Sequence, residues 1–153
     1  MANHTATVIW QRSPDDPFTG SRFSRAHSWS FDGGLSVPAS SSPAVIPRYS
    51  DPAGIDPEEA LIASLSACHM MTFLYLAAKR GLVVNRYDDA AEGELTKNEK
   101  GRLWLSRVTL RPRIDWEGEG PDAATVEDLH HRAHEECFIA NSVRTDVRWE
   151  PIR

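Results

Sequence analysis

Two cysteines, Cys68 and Cys137, are the side chains of this sequence best suited to redox chemistry, and the chain has no others. Val126, Leu129 and Ala133 lead to Cys137 at helical spacings of three, four and four residues, which directs that thiol inward. A thiolate that reacts with a peroxide becomes a sulfenic acid, and a second thiol condenses with it to form a disulfide. Each cysteine alone is more typical of a small buried side chain. The pair is therefore the candidate redox site.

A reactive thiolate requires a lowered thiol pKa and hence a nearby cation, for which Arg22 and Arg25 are the candidates. Residues 22–31 alternate with a period of two, which predicts a strand. Arg25 falls on the aromatic face of this strand, between Phe23 and His27. We expect an arginine in such a position either to stack on a ring or to face a functional site.

A metal site is an alternative use of the same residues. His130, His134 and Cys137 are spaced by four and three residues, and Cys68 or His69 would complete a zinc site. A further alternative is a non-catalytic module that holds a small apolar ligand and buries both cysteines as inert side chains. We expect no metal or cofactor, because the fourth zinc ligand has no clear candidate and the scattered glycines form no phosphate-binding loop.

The composition excludes several classes of protein. The chain has 153 residues, of which 41% are hydrophobic and 25% are charged, a balance typical of a globular domain. Its formal charge of −5 does not favour binding to nucleic acid or to an anionic membrane. The N-terminal residues lack the pattern of a signal peptide, so we expect a cytoplasmic protein with a single domain over residues 1–153. In that reducing compartment, two cysteines are more often reactive, metal-binding or buried than permanently bridged.

The clearest secondary-structure signals delimit a long helix over residues 57–80. Asp56 is a suitable N-cap, Pro57 occupies the first helical position, and Gly81 supplies the left-handed C-terminal cap. Such a helix is about 36 Å long. Its uncharged part, residues 60–78, approaches the length of a membrane span but includes polar side chains, so we expect a buried central helix. A chain of this size has difficulty covering that helix alone, which favours a dimer.

The remaining patterns predict an α+β fold with mostly antiparallel sheet. Alternating apolar residues predict strands, a second helix begins at Pro121, and irregular loops connect the early elements. The predicted strands cover residues 5–11, 22–31, 82–95, 102–114 and 143–149, and the predicted loops cover residues 12–20 and 37–56.

Two motifs resemble the OsmC/Ohr family, the osmotically inducible and organic-hydroperoxide-resistance proteins. Residues 56–70 read DPEEALIASLSACHM, and residues 133–142 read AHEECFIANS. A Pro-Glu-Glu run thus precedes the first cysteine by about ten residues, and the second cysteine follows about seventy residues later. The resemblance implies an intertwined α+β homodimer with central helices packed between sheets. It also implies thiol-dependent reduction of organic hydroperoxides, with an external dithiol of lipoyl or thioredoxin type as the reductant.

The resemblance assigns roles to individual residues. Cys68 matches the peroxidatic cysteine and Cys137 the resolving cysteine. Glu58 matches a glutamate that holds a catalytic arginine. One alignment of the N-terminal region selects Arg22 as that arginine, and another selects Arg25. We favour Arg25, because a charged residue is unusual on an aromatic strand face. Such an exception is expected of a residue that belongs to a functional site.

Two further expectations follow from the same comparison. Glu58 lies ten residues before Cys68 in the predicted helix, about 15 Å away along its axis. If Glu58 has the family role, it must reach the site of a second chain, which again predicts a homodimer with shared sites. Phe138 stands where the hydroperoxide-resistance branch has proline. Together with Met70 and Met71, it would favour a peroxide that bears a hydrocarbon group.

Overall fold

The computed structural model describes residues 3–152, and the chain divides into two compact units, Met1–Ala60 and Leu61–Arg153. Within the described residues there are two α-helices and eight strands, in agreement with the predicted α+β class. In chain order the elements are β1 Ala6–Ile9, a 3-10 turn Thr19–Ser21, β2 His27–Phe31, β3 Ser36–Ala39, α1 Pro57–Lys79, β4 Val84–Asp89, β5 Glu92–Lys97, β6 Leu103–Leu110, β7 Pro112–Trp116, α2 Ala123–Glu136, a 3-10 turn Ala140–Ser142 and β8 Asp146–Trp149.

The first unit contains an antiparallel sheet in the order β1-β2-β3. Trp29 in the central strand lies opposite Val8 on one side and Val37 on the other. The prediction of an irregular connection over residues 37–56 is wrong at its start, because β3 forms there. This strand contains Pro38 and lies at the edge of the sheet, where a residue without an N–H group is tolerated.

The strand predicted over residues 22–31 is also too long, since β2 begins only at His27. Before it, the backbone bonds to partners outside any strand ladder. The N–H of Ser24 donates to the Asp16 carboxylate at 3.1 Å, and the N–H of Arg25 donates to the carbonyl of Tyr49 at 2.7 Å. These bonds satisfy the backbone without strand pairing, so the alternation of this segment reflects a folded loop.

The boundaries of α1 agree with the sequence signals. Asp56 and Glu59 form a reciprocal capping box, in which each side chain accepts a hydrogen bond from the other residue's N–H, at 2.8 and 3.2 Å. The C-terminal end is followed by Gly81 in the left-handed conformation, with φ of 72°. The helix therefore begins and ends where its caps place it.

In the second unit the strands form two sheets, with orders β4-β7 and β5-β6-β8. The predicted strands 82–95 and 102–114 are each divided into two strands. Pro112 opens β7, and the N–H of Arg111 just before it donates to the Asp89 carboxylate at 2.6 Å. The pairing is mostly antiparallel as predicted, but β6 and β8 are parallel, with Val108 opposite Val147.

Two apolar clusters form the core of the second unit. One is centred on Leu65 of α1 and on the buried residues of β6, and the other on Phe73 of α1 and Leu129 of α2. These clusters fix the rotation of α1, because its buried residues all lie toward them. The buried residues of α1 are Leu65, His69, Phe73, Leu76 and Ala77.

The opposite face of α1 remains exposed in the single chain. Met71 and Tyr75 are 63% and 57% exposed, so the helix is covered on one side only. By length and hydropathy alone α1 is able to cross a membrane, a property that core helices of soluble proteins also have. A single chain therefore leaves one face of the helix uncovered, as the difficulty of covering it alone predicted, and its burial on most faces stays a prediction for the dimer.

Candidate functional site

The first cysteine, Cys68, lies near the middle of α1 and is half-buried. The hydroxyl of Thr72, one turn later, donates to the Cys68 carbonyl at 2.9 Å. The next residue, His69, is only 1% exposed. The thiol therefore lies at the border between the buried and the exposed faces of the helix.

The second cysteine, Cys137, is the C-cap of α2 and is 1% exposed. The helix that positions it starts at Asp122, whose carboxylate accepts a hydrogen bond from the Thr125 N–H at 2.7 Å. Leu129 and Ala133 are fully buried on the stripe that ends at Cys137, so the thiol points inward as the spacing predicted. After the helix, a tight 3-10 turn brings the N–H of Ala140 to 3.3 Å from the Cys137 sulfur.

The structure brings the two cysteines together. Both are free thiols, and the Cys137 side chain interacts with that of Cys68. Burial, followed by this contact, raises the pKa of Cys137 to about 11. A raised pKa keeps the proton on the Cys137 thiol. The pair is a half-buried cysteine beside a buried, protonated one.

Two histidines beside this pair form a buried contact of their own. The rings of His69 and His130 stack with centroids 5.3 Å apart, and His69 Nε2 lies 3.0 Å from His130 Nδ1. Burial lowers the pKa of His69 to about 3, with the neighbouring His130 and His134 adding to the effect. Burial also lowers the pKa of His130 to about 4. Both rings are therefore neutral at physiological pH.

The arrangement of these residues does not favour the zinc alternative. Among residues 3–152, no group of three or more His, Cys, Asp or Glu side chains is arranged to hold a metal ion. His130, which the sequence offered as a ligand, instead uses its Nδ1 atom to bond His69. The Cys137 thiol interacts with that of Cys68.

Arg25 lies in the folded loop of the first unit and stacks on an aromatic ring. Its guanidinium carbon is 3.5 Å from the centroid of the Phe23 ring. Its two terminal nitrogens donate to the carbonyls of Phe23 and Ser21, at 3.2 and 3.4 Å. The stacked arrangement was one of the two outcomes expected for an arginine on an aromatic face. The reason for preferring Arg25 by its strand position does not hold, because Arg25 is not in a strand.

The two remaining predicted site residues lie in the same unit. Arg22 is exposed, and its Nε atom donates to the Thr19 carbonyl at 3.2 Å. Glu58 is half-buried in the first turn of α1. No ion pair joins Glu58 to Arg22 or Arg25 in the part of the chain that the structure describes. The predicted glutamate–arginine contact is thus not formed within one copy of this unit.

Sequence reasoning missed the residues that hold these groups in place. From the sequence, Phe23 was predicted only to lie on one face of an alternating segment. Its position two residues before Arg25 could have indicated that the two side chains are in contact. The contact between Ala140 and the Cys137 sulfur could not be predicted from residue type, because the donor is the backbone N–H of Ala140.

Comparison with known proteins gives the same family from sequence and from structure. The sequence profile of the OsmC-like protein family matches residues 50–151. A comparison with curated protein sequences finds no match for this chain. An OsmC-like protein of unknown function from Vibrio cholerae is 48% identical, with 99% of this chain and 100% of that chain covered and a TM-score of 0.95.

Two more distant structures share the fold. The organic hydroperoxide resistance protein OhrB of Bacillus subtilis is 20% identical, with coverage of 99% of this chain and 98% of that chain and a TM-score of 0.70. An organic hydroperoxide resistance protein from Legionella pneumophila is also 20% identical, with coverage of 100% and 98% and a TM-score of 0.71. At this identity the likeness establishes the fold alone.

Proposed function

Because the chain belongs to the OsmC-like protein family, we propose that it is a thiol-dependent reductase of organic hydroperoxides. Family membership supports a peroxide-related redox role. The single observation that carries the finer proposal is the contact between the thiols of Cys68 and Cys137. Two thiols in contact are able to form a disulfide after one of them is oxidised, without rearrangement of distant elements.

The unequal burial of the two thiols supports a division of roles. Cys68 is half-buried, so a peroxide can reach its sulfur. Its thiolate attacks the terminal oxygen of the hydroperoxide, the O–O bond breaks, and the alkoxide leaves and takes up a proton to become an alcohol. Cys68 is thereby oxidised to a sulfenic acid. The S–H group of Cys137 stabilises the attacking thiolate by donating to it.

In the second step Cys137 resolves the sulfenic acid. Its sulfur attacks the Cys68 sulfur, the S–O bond breaks, and water leaves with the proton of the Cys137 thiol. The product is a Cys68–Cys137 disulfide. An external dithiol then restores the pair by thiol–disulfide exchange and is itself oxidised to a disulfide. The proposal places this cycle in the cytoplasm, where such reductants maintain free thiols.

Arg25 is the proposed cation of the site, with Glu58 as the residue that holds it. An arginine close to a thiol favours the thiolate and can orient a peroxide oxygen. Arg22 remains the alternative for this role. The contacts of Arg25 with Phe23 and Ser21 support the choice, because they give its guanidinium a defined position, whereas Arg22 is exposed on the loop surface.

The proposed protein is a homodimer. Ala63, Ala67, Met71 and Tyr75 recur every four residues on the exposed face of α1, which makes one continuous stripe along the helix. An exposed apolar helix face of this length favours association. A second copy of α1 is the proposed cover, and it would also bring a Glu58 from the other chain toward each site.

Titration of the reduced protein with tert-butyl hydroperoxide tests the proposed reaction. We expect one equivalent of peroxide to consume both thiols, with one equivalent of tert-butanol formed. Mass spectrometry of the digested protein is expected to show the peptides of Cys68 and Cys137 joined by a disulfide. Thiols that survive excess peroxide would instead identify an inert protein, such as a module that binds a small apolar ligand, and would overturn the proposal.

A further inference from the structure

We infer that Phe23 is a positioning residue for Arg25, an inference that rests on the proposed function. The guanidinium carbon lies 3.5 Å from the centroid of the Phe23 ring, so the planar group lies against the face of the ring. This geometry lets the electron-rich ring face attract the cation. The same residue supplies the carbonyl that accepts a hydrogen bond from the Arg25 side chain at 3.2 Å. Phe23 thus contacts the guanidinium through both its ring and its backbone.

The ring of Phe23 is itself held by two other aromatic residues. Phe18 stacks on it with centroids 4.7 Å apart and an interplanar angle of 27°. Trp10 meets it edge to face, with centroids 5.4 Å apart and an interplanar angle of 72°. The indole N–H of Trp10 also donates to the carbonyl of Ser24 at 2.8 Å. Each contact restricts the ring that carries the guanidinium, so its position is fixed from several directions.

The backbone around this cluster adopts conformations that require such support. Phe18, Ser21 and Tyr49 have φ angles of 64°, 60° and 69°, in the left-handed region that side-chain-bearing residues rarely enter. The carbonyl of Tyr49 accepts the hydrogen bond from the Arg25 N–H at 2.7 Å. Conformations of this kind persist where surrounding contacts impose them, and they concentrate at functional sites. Here Ser21 and Tyr49 each accept a hydrogen bond from Arg25 through a carbonyl, and Phe18 stacks on the Phe23 ring.

The arrangement has a consequence for the arginine side chain. A free arginine samples many rotamers, and ordering it on each substrate encounter reduces the rate of reaction. With one face of the guanidinium on Phe23 and two N–H groups on carbonyls of the loop, the plane of the group is set in advance. The other N–H donors then have a fixed direction. Phe23 acts on the reaction only through this effect on Arg25.

The test compares three substitutions in the full-length protein. Phe23→Met keeps an apolar side chain of similar length but removes the ring, Phe23→Trp keeps a ring face, and Phe31→Leu removes a ring from the end of β2 in the same unit. We expect Phe23→Met to lower kcat/KM for tert-butyl hydroperoxide about tenfold, Phe23→Trp to stay within about twofold, and Phe31→Leu to leave it unchanged. A loss of activity with Phe31→Leu equal to that with Phe23→Met would indicate general destabilisation and overturn the inference.

A second measurement does not depend on activity. The ring current of Phe23 should move the NMR signal of the Arg25 Nε–H proton upfield in the wild-type protein. We expect the displacement to vanish in Phe23→Met and to persist in Phe23→Trp. If the wild-type signal is displaced but no peroxide is consumed, the proposed function fails while the contact stands. If peroxide is consumed at equal rates by wild type and Phe23→Met, the positioning role fails while the proposed function stands.

Discussion

The thiols of Cys68 and Cys137 are in contact, although the residues are about seventy positions apart and lie on different helices. The contact is asymmetric. Cys68 is half-buried, whereas Cys137 is 1% exposed and has its pKa raised to about 11. Two equally buried thiols would not determine which of them reacts first with the peroxide. The asymmetry supports a sequence in which the accessible sulfur is oxidised first and the buried one responds.

Replacement of each cysteine should therefore have a different effect. Cys68→Ser is expected to abolish peroxide consumption, because the buried Cys137 is both protonated and inaccessible. Cys137→Ser should allow one turnover and then stop with Cys68 as a sulfenic acid, since no thiol is left to resolve it. Peroxide consumption in the presence of excess dithiothreitol, together with dimedone labelling of the oxidised protein, distinguishes these outcomes. Equal multi-turnover activity of the two variants would contradict the assignment.

The raised pKa of Cys137 predicts the pH dependence of the resolving step. At pH 7 almost all of this thiol is protonated, and the thiolate fraction rises about tenfold per pH unit until the pH approaches the pKa of about 11. Because the thiolate is the nucleophile, disulfide formation from the sulfenic acid should accelerate between pH 7 and pH 9. Rapid mixing with one equivalent of peroxide, followed by acid quenching and mass spectrometry, measures this step. A rate independent of pH would contradict the prediction.

The two candidate arginines should differ in their effect on the thiol. Arg25→Ala is expected to slow both peroxide reduction and alkylation of Cys68 by iodoacetamide at pH 7, by about tenfold to a hundredfold, because a charge-assisted contact is lost. Arg22→Ala serves as the matched control and should change either rate less than about twofold, since its Nε bond lies within an exposed turn. The reverse pattern would transfer the role to Arg22.

Local signals in the sequence were sufficient for the helices and for the inward direction of Cys137. The capping residues placed the start of α1 at Pro57, and the stripe that ends at Cys137 predicted the burial that is observed. Such predictions succeed because caps and helical spacing act over a few residues. The assignment of Arg25 to a strand failed for the opposite reason. Its N–H is bonded to Tyr49, a partner distant in the sequence that no local pattern indicates.

The histidines of the candidate site also show that local sequence patterns do not identify distant partners. His130 and His134 were considered as zinc ligands, but His130 is buried and bonded to His69, 61 residues earlier. The burial of His130 could have been predicted, because His130 and the inward-facing Cys137 are seven residues apart and thus share a helix face. The identity of the partner depends on the packing of α2 against α1, which periodicity alone does not specify.

This buried histidine pair predicts a loss of stability in mild acid. Both rings stay neutral in the folded protein, with pKa values of about 3 and about 4, whereas in the unfolded chain they take up protons near pH 6.5. The unfolded state binds more protons below that pH, so the free energy of unfolding should fall between pH 6.5 and pH 4. The expected loss is on the order of 5 kcal/mol.

Urea denaturation at a series of pH values measures this loss. The double variant His69→Leu, His130→Leu removes both groups and should show a shallower decline than wild type. His131→Gln is the matched control, because His131 lies on the same helix as His130 but its side chain is 60% exposed and pairs with Glu135. The free energy of unfolding of this control should depend on pH as it does in the wild-type protein. A decline of equal steepness in the double variant would assign the acid sensitivity to other groups.

The distance between Glu58 and Cys68 leads to the last prediction, which concerns the proposed homodimer. Ten helical residues separate them, about 15 Å along the axis of α1 and some 80° around it. A glutamate side chain cannot span that distance to an arginine that touches Cys68 of the same helix. In an isologous dimer, however, residue i of one chain meets residue j of the other, and each site then combines Cys68 of one chain with Glu58 of its partner.

Complementation between inactive variants tests this sharing. Chains with Cys68→Ser are mixed with chains with Glu58→Ala under conditions that exchange subunits. Half of the dimers become heterodimers, and in each of them one site combines the intact Cys68 and the intact Glu58, so about a quarter of wild-type activity should return. Mixing Cys68→Ser chains with Cys68→Ser, Glu58→Ala chains is the control and should restore nothing. If heterodimers confirmed by native mass spectrometry stay inactive, or if the protein sediments as a monomer at assay concentration, each site is built within one chain and the shared arrangement is wrong.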